Sequence, residues 1–161
     1  MSVAKNSKNE LADLLQLVSF KIGAVEYGVD ILKVQEINKI LSITKVPNSP
    51  CYVEGVINLR GRVIPIIDLR IRLDLEKIEH TKDSRIIVVE LDSKTVGFIV
   101  DAVNEVLRIS KDIIEAPPKL VEGTDADYIT AVGKLEDRLL ILLDLEKVLS
   151  QNEKDIIKEV A

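Results

Sequence analysis

Val18, Phe20 and Ile22 alternate with Ser19 and Lys21, a period of two that predicts a half-buried strand opening at Leu17. Ahead of it, residues 1–10 are polar and read as frayed, and Leu11–Leu15 reads as a short helical turn. Gly23–Glu26 reads as a turn, Tyr27–Val34 as a second strand, and Val34–Ile37 as the lead into a third over Ile40–Val46. The Pro47-Asn48-Ser49-Pro50 cluster then breaks the pattern.

The stretch Gly55–Arg70 predicts two aliphatic strands joined by a tight Arg60-Gly61 turn, with Gly61 supplying positive φ. Pro65 lacks an N–H, so the second strand is expected to lie at an edge or to bulge there. Asp68 is placed to cap a short helix over Leu69–Leu75. Residues 77–84 read as a polar linker. The insert Asn58-Leu59-Arg60-Gly61-Arg62 puts two cations and an amide on the tip of an otherwise greasy hairpin. A solvated turn is the plain reading of such a tip.

After the linker the pattern starts again. Ile86–Leu91 and Val96–Val100 read as strands, 110–126 as turn and loop, and Tyr128–Leu143 as another hairpin. Asp144 then caps a last helix. A shift of 76 residues superposes Tyr52, Val56, Leu59, Arg62, Asp68 and Leu69 on Tyr128, Val132, Leu135, Arg138, Asp144 and Leu145. A shift of 69 aligns Gly28, Val34, Glu36 and Ile40 with Gly97, Val103, Glu105 and Ile109. The chain is therefore a duplication of two strand-rich halves, about 17–75 and 86–149, each with about five strands and one short helix. That count suits a small barrel that hides its edges by closure, and two barrels are expected to leave a groove between them. Residues 1–16 read as a flexible lead and 150–161 as a helical tail. At the second turn Arg60-Gly61 becomes Glu136-Asp137, and Asp tolerates positive φ. Asn58, Arg60, Gly61 and Pro65 occur in the first half only, which marks the first tip as a place with its own task.

Composition narrows the function. The chain is 47% hydrophobic but only 3% aromatic, so the core is aliphatic. A net charge of −5 argues against nucleic acid, whose phosphates call for a concentrated basic surface. The single cysteine, Cys51, excludes an internal disulfide and reads as a small buried hydrophobe. No apolar run reaches membrane-spanning length, and the start lacks a secretory apolar segment. A cytoplasmic protein without direct membrane insertion is expected.

No catalytic set is visible: no phosphate-binding glycine loop, no HExxH, no GxSxG. His80 is the only histidine and reads as a solvated linker residue, Asp68 and Asp144 read as caps, and Asp125 and Asp127 as loop. No catalytic residue, metal ligand or cofactor is expected. An enzyme with dispersed carboxylates remains one alternative to a binding module. A generic β-barrel interaction module of another signalling system is a second. Val34 and Glu36 recur in both halves, and core packing and a surface ion pair account for them as plainly as an exposed docking strip.

The segments Ile31–Ile37, Val53–Gly61, Val63–Arg70, Val96–Asp101 and Arg138–Asp144 together resemble the bacterial chemotaxis coupling proteins, the CheW family, over residues 17–149. The resemblance implies two five-stranded SH3-like barrels. It implies a non-enzymatic adaptor that ties the cytoplasmic tip of transmembrane chemoreceptors to the regulatory domain of the chemotaxis histidine kinase CheA, at membrane receptor arrays. Receptor contact is implied for Val34, Glu36, Gly55, Arg60 and Gly61, and Asn58 of the unshared tip joins them. Kinase contact is implied, by position, for Val29 and Leu32 in the first half and Val103 and Leu120 in the second.

Overall fold

The computed structural model describes residues 14–117 and 128–160, with eleven strands. In the first half these are β1 (Leu14–Ile22), β2 (Val25–Asp30), β3 (Val34–Lys39), β4 (Val53–Leu59) and β5 (Arg62–Asp68). In the second they are β6 (Arg85–Leu91), β7 (Lys94–Val100), β8 (Ala102–Ser110), β9 (Ile114–Glu115), β10 (Ile129–Lys134) and β11 (Leu139–Leu143). Helix α1 (Leu69–Arg72) follows β5, while α2 (Leu145–Val148) and α3 (Gln151–Val160) follow β11.

The strands form a five-stranded sheet, β3-β6-β7-β5-β4, and a six-stranded sheet, β8-β1-β2-β11-β10-β9. These are the two SH3-like barrels, called barrel I and barrel II below. Neither is built from one half of the sequence. Barrel I takes β3–β5 from the first half and β6–β7 from the second, and barrel II takes the complementary set. The halves exchange strands, so the barrel boundary does not coincide with the boundary between the repeats.

The two shifts hold in three dimensions. Val34 faces Val89 and Glu36 faces Val88 in barrel I, where Val103 faces Phe20 and Glu105 faces Ser19 in barrel II. A parallel seam joins Ile66 to Gly97 in one barrel and Leu142 to Gly28 in the other. The amide of Asp68 donates to the Tyr52 carbonyl at 2.8 Å, and that of Asp144 to the Tyr128 carbonyl at 2.8 Å. Each aspartate then accepts from the amide two residues on, Arg70 or Glu146, and so caps its helix.

The largest apolar cluster lies between the sheets and draws Phe20, Val29 and Leu143 from one, Ile67, Ile87 and Phe98 from the other, and Ile157 from α3. Each barrel adds a private cluster, around Ile57, Ile66 and Ile86 in barrel I and around Leu17, Ile109 and Leu140 in barrel II. The expected groove between the barrels is therefore mostly filled by core. What stays open is a cleft flanked by Asp30, Lys33 and Glu146 over Val89.

Several local expectations change. Leu14 and Leu15 are already strand, and Leu11–Asp13 lie outside the described residues. The turn after β1 is confined to Gly23-Ala24, and a single 3-10 turn at Ile31–Lys33 separates β2 from β3. Ile40–Val46 is not a strand, because it touches the sheet only through the Thr44 bridge to Val56. Pro65 lies on an interior strand. It faces Val56, whose N–H and C=O both go to Thr44, so this pair exchanges no ladder bonds, and the ladder to β7 begins one residue later at Ile66. Cys51 is exposed in the turn after Pro50. The C-terminal segment packs as part of the body: Ile157 is 1% exposed in the central core, and Arg72 donates to Glu153 at 3.0 Å.

Candidate functional site: the hairpin tip of barrel I

The β4–β5 hairpin turns at Arg60 (φ +53°) and Gly61 (φ +85°), the left-handed pair whose twist matches the flanking strands. A β-carbon on Gly61 would meet nothing within 4 Å, so glycine there serves conformation alone. Asn58 Oδ1 accepts from the Gly61 amide at 2.8 Å and closes the turn from within. The second-half turn differs: neither Glu136 nor Asp137 has positive φ. Without glycine, the repeat found another path.

The Arg60 guanidinium reaches back to β3. Nη1 donates to Glu36 Oε1 at 3.2 Å and Nη2 donates to Glu36 Oε2, a two-pronged pair. Asn38 Nδ2 donates to Glu36 Oε1 at 2.7 Å. The bonds from Arg60 and then Asn38 hold the Glu36 carboxyl below the usual carboxylate range. The Arg60 side chain is still 70% exposed, so the bond orients the guanidinium without burying it. Arg62 Nη2 donates to Thr95 Oγ1 at 2.7 Å. Val63, one residue further, is 56% exposed.

The structure thus brings Glu36, Asn58, Arg60 and Gly61 together. Val34 sits two residues back on β3, half-buried against the central core. Gly55 is buried at the β4 bulge, at φ +151°, and a β-carbon there would lie 2.3 Å from the Thr44 carbonyl oxygen. Gly55 shapes the strand behind the tip and presents no surface of its own.

The kinase-side residues separate. Leu32 is 88% exposed on the 3-10 turn, which Asp30 caps by accepting from the Leu32 amide at 2.9 Å. Val103 is half-buried, the counterpart of Val34. Val29 is 2% exposed and belongs to the central core, so its side chain presents almost no surface in this structure. Leu120 lies outside the described residues.

Sequence reasoning missed Asn38, which donates to the Glu36 carboxylate that holds Arg60, and Thr95, which accepts from Arg62. It also missed the matching cluster in barrel II. There Arg138 Nε donates to Glu26 Oε1 at 2.7 Å and Nη2 to Glu105 at 3.4 Å, while the Ser19 hydroxyl donates to Glu26. The pairing of Arg62 with Arg138 and of Glu36 with Glu105 was visible in the shifts, but the position opposite each arginine, Thr95 or Glu26, was not.

The family model described as "CheW-like domain" matches residues 16–153. The chain belongs to the CheW family. Across 146 residues it is 38% identical to the chemotaxis protein CheW of Klebsiella aerogenes, covering 91% of this chain and 88% of that protein. With the Helicobacter pylori CheW it shares 38% over 150 residues, covering 92% and 88%. The crystal structure of the scaffolding protein TtCheW from Thermoanaerobacter tengcongensis superposes with a TM-score of 0.77 at 41% identity, covering 86% of this chain and 90% of that one. Among the described residues no helix is long and apolar enough to cross a membrane.

Proposed function

We propose that this CheW-family chain is a cytoplasmic, non-enzymatic adaptor that couples transmembrane chemoreceptors to the histidine kinase CheA, so that receptors set kinase autophosphorylation. The observation that carries this reading is the tip itself. A guanidinium 70% exposed is held in one orientation by Glu36, which Asn38 braces in turn. A cation ordered in advance and left facing solvent loses less freedom on docking than a loose one. Receptor contact is assigned to Arg60, Glu36, Asn58 and Gly61, with Val34 and Gly55 shaping the strands behind them. Kinase contact is assigned to Leu32 and Val103.

The test is reconstitution. With receptor fragment and CheA present, adding the protein makes autophosphorylation depend on receptor. Arg60→His removes that dependence and receptor capture while the fold and kinase capture persist. Normal receptor capture by that variant rules out the tip as the receptor site.

A further inference from the structure

Lys39 and Arg85 stand directly opposite each other on the last rung of the β3–β6 ladder. Like charges at that spacing repel and cost stability, and the fold itself gives no reason for the pair. The other repeat lacks it. The shift of 69 carries Lys39 to Arg108, and Arg108 faces the neutral Gln16 on β1. Lys82, in the turn before β6, adds a third cation to the same open cleft, which Thr81 and Asp83 also line. Among the described residues none of the three cations makes an ion pair, although Asp83 sits on the same turn. In a chain of net charge −5, such a cleft is a local reversal of sign.

The cleft is also ordered. The Thr81 amide donates to Ser84 Oγ at 2.9 Å, and the Asp83 amide donates to Thr81 Oγ1 at 3.1 Å, so the turn is closed from within. Arg85 Nη1 donates to the carbonyls of Lys82 and Ser84, each at 2.8 Å. Those bonds fix the guanidinium through one nitrogen, and among the described residues Nε and Nη2 make no hydrogen bond. The two free nitrogens form the planar fork that binds oxyanions in bidentate fashion. A carboxylate, with one charge and two oxygens, is satisfied by that fork alone. A phosphoryl group carries about two charges and three acceptor oxygens, which suits a guanidinium flanked by two ammonium groups.

We propose that the cleft between the end of β3 and the turn at 81–84 binds a phosphoryl group, free as phosphate or carried by a small molecule, on Arg85, Lys39 and Lys82. The negative charge of the whole chain favours such a small ligand over a long polyanion. Occupancy offsets the repulsion between Lys39 and Arg85, so the bound protein is the more stable one.

Titration of the full chain with inorganic phosphate, pyrophosphate and ATP at constant ionic strength tests this, read by backbone amide NMR shifts and by melting temperature. Saturable shifts centred on Lys39 and residues 81–85, with a rise in melting temperature, are expected. Tightest binding of inorganic phosphate assigns the free ion, and tighter binding of pyrophosphate or ATP assigns a phosphorylated molecule. Lys39→Gln weakens binding about fivefold or more, yet melts higher than wild type without ligand because the like-charge pair is gone. Lys82→Gln weakens binding to a similar degree and leaves the ligand-free melting curve unchanged. Both side chains are exposed, and circular dichroism checks that the fold is intact. Shifts that never saturate, that chloride reproduces, or that spread equally over lysines elsewhere overturn the proposal. Wild-type affinity in both variants overturns it as well. Binding of a glutamate-rich peptide without binding of phosphate also overturns it, and assigns the cleft to an acidic protein segment instead.

Discussion

Arg138 donates to Glu26 at 2.7 Å in barrel II at the position where Arg62 donates to Thr95 at 2.7 Å in barrel I. The same donor thus meets a buried carboxylate in one repeat and a neutral hydroxyl in the other. Burial pushes the Glu26 carboxyl up, but bonds from Ser19 and Arg138 outweigh it and hold the group below the usual carboxylate range. A depressed folded value means stability that is complete above the unfolded carboxyl's value, about 4.3, and is lost as pH falls through the lower folded value. Glu26→Gln is therefore less stable than wild type at pH 7, and the gap closes at strongly acid pH, where both side chains are neutral. Urea unfolding across that range checks it.

The two hairpin glycines separate cleanly. Gly55→Ala forces a β-carbon against the Thr44 carbonyl at a strained φ and costs about 2 kcal/mol or more. Gly61→Ala meets no neighbour and costs about 1 kcal/mol of turn conformation. Chemical denaturation distinguishes them. Loss of receptor capture in a Gly55 variant then reports a damaged strand, whereas loss in a Gly61 variant with a sound fold reports the tip.

Val29→Asp places a carboxylate in the central core and is expected to unfold the protein or cost about 4 kcal/mol or more. Leu32→Ser alters a side chain that is almost wholly in solvent and changes stability by roughly 0.5 kcal/mol or less. If Leu32 contacts kinase, the second variant loses kinase capture with an unchanged melting curve. Equal capture by wild type and Leu32→Ser removes Leu32 from the kinase face.

Ile157→Ala empties a fully buried position on α3 and costs about 2–4 kcal/mol, read as a drop in the urea midpoint. A tail that merely trailed from the body would show no such effect.

The sequence made the repeating parts legible. Asp68 and Asp144 announced themselves as caps by their place before a helical run, and the shifts of 76 and 69 match the observed registers pair for pair. The Arg60-Gly61 turn was readable from turn chemistry, whereas the bond from Arg60 to Glu36 on β3 was not. What stayed hidden depends on which strands meet. Periodicity marks a buried face without naming its neighbour, so Glu26 looked like part of a turn, and the place of Val29 among kinase contacts came from the resemblance alone. The exchange of strands was equally silent, because β2 meets β11 only through a seam of two residue pairs far apart in the chain.

That exchange bears on how the protein is made. During synthesis, β1 and β2 leave the ribosome long before β11 exists to receive them, and β3–β5 must wait for β6 and β7. Neither barrel can close until the later half emerges, and barrel II closes last, a non-local order that slows folding. A gene split within residues 77–84 would yield two fragments that each hold incomplete barrels. Mixed together, the fragments have every strand both barrels need, so the pair is suited to a split reporter whose signal requires both pieces to meet.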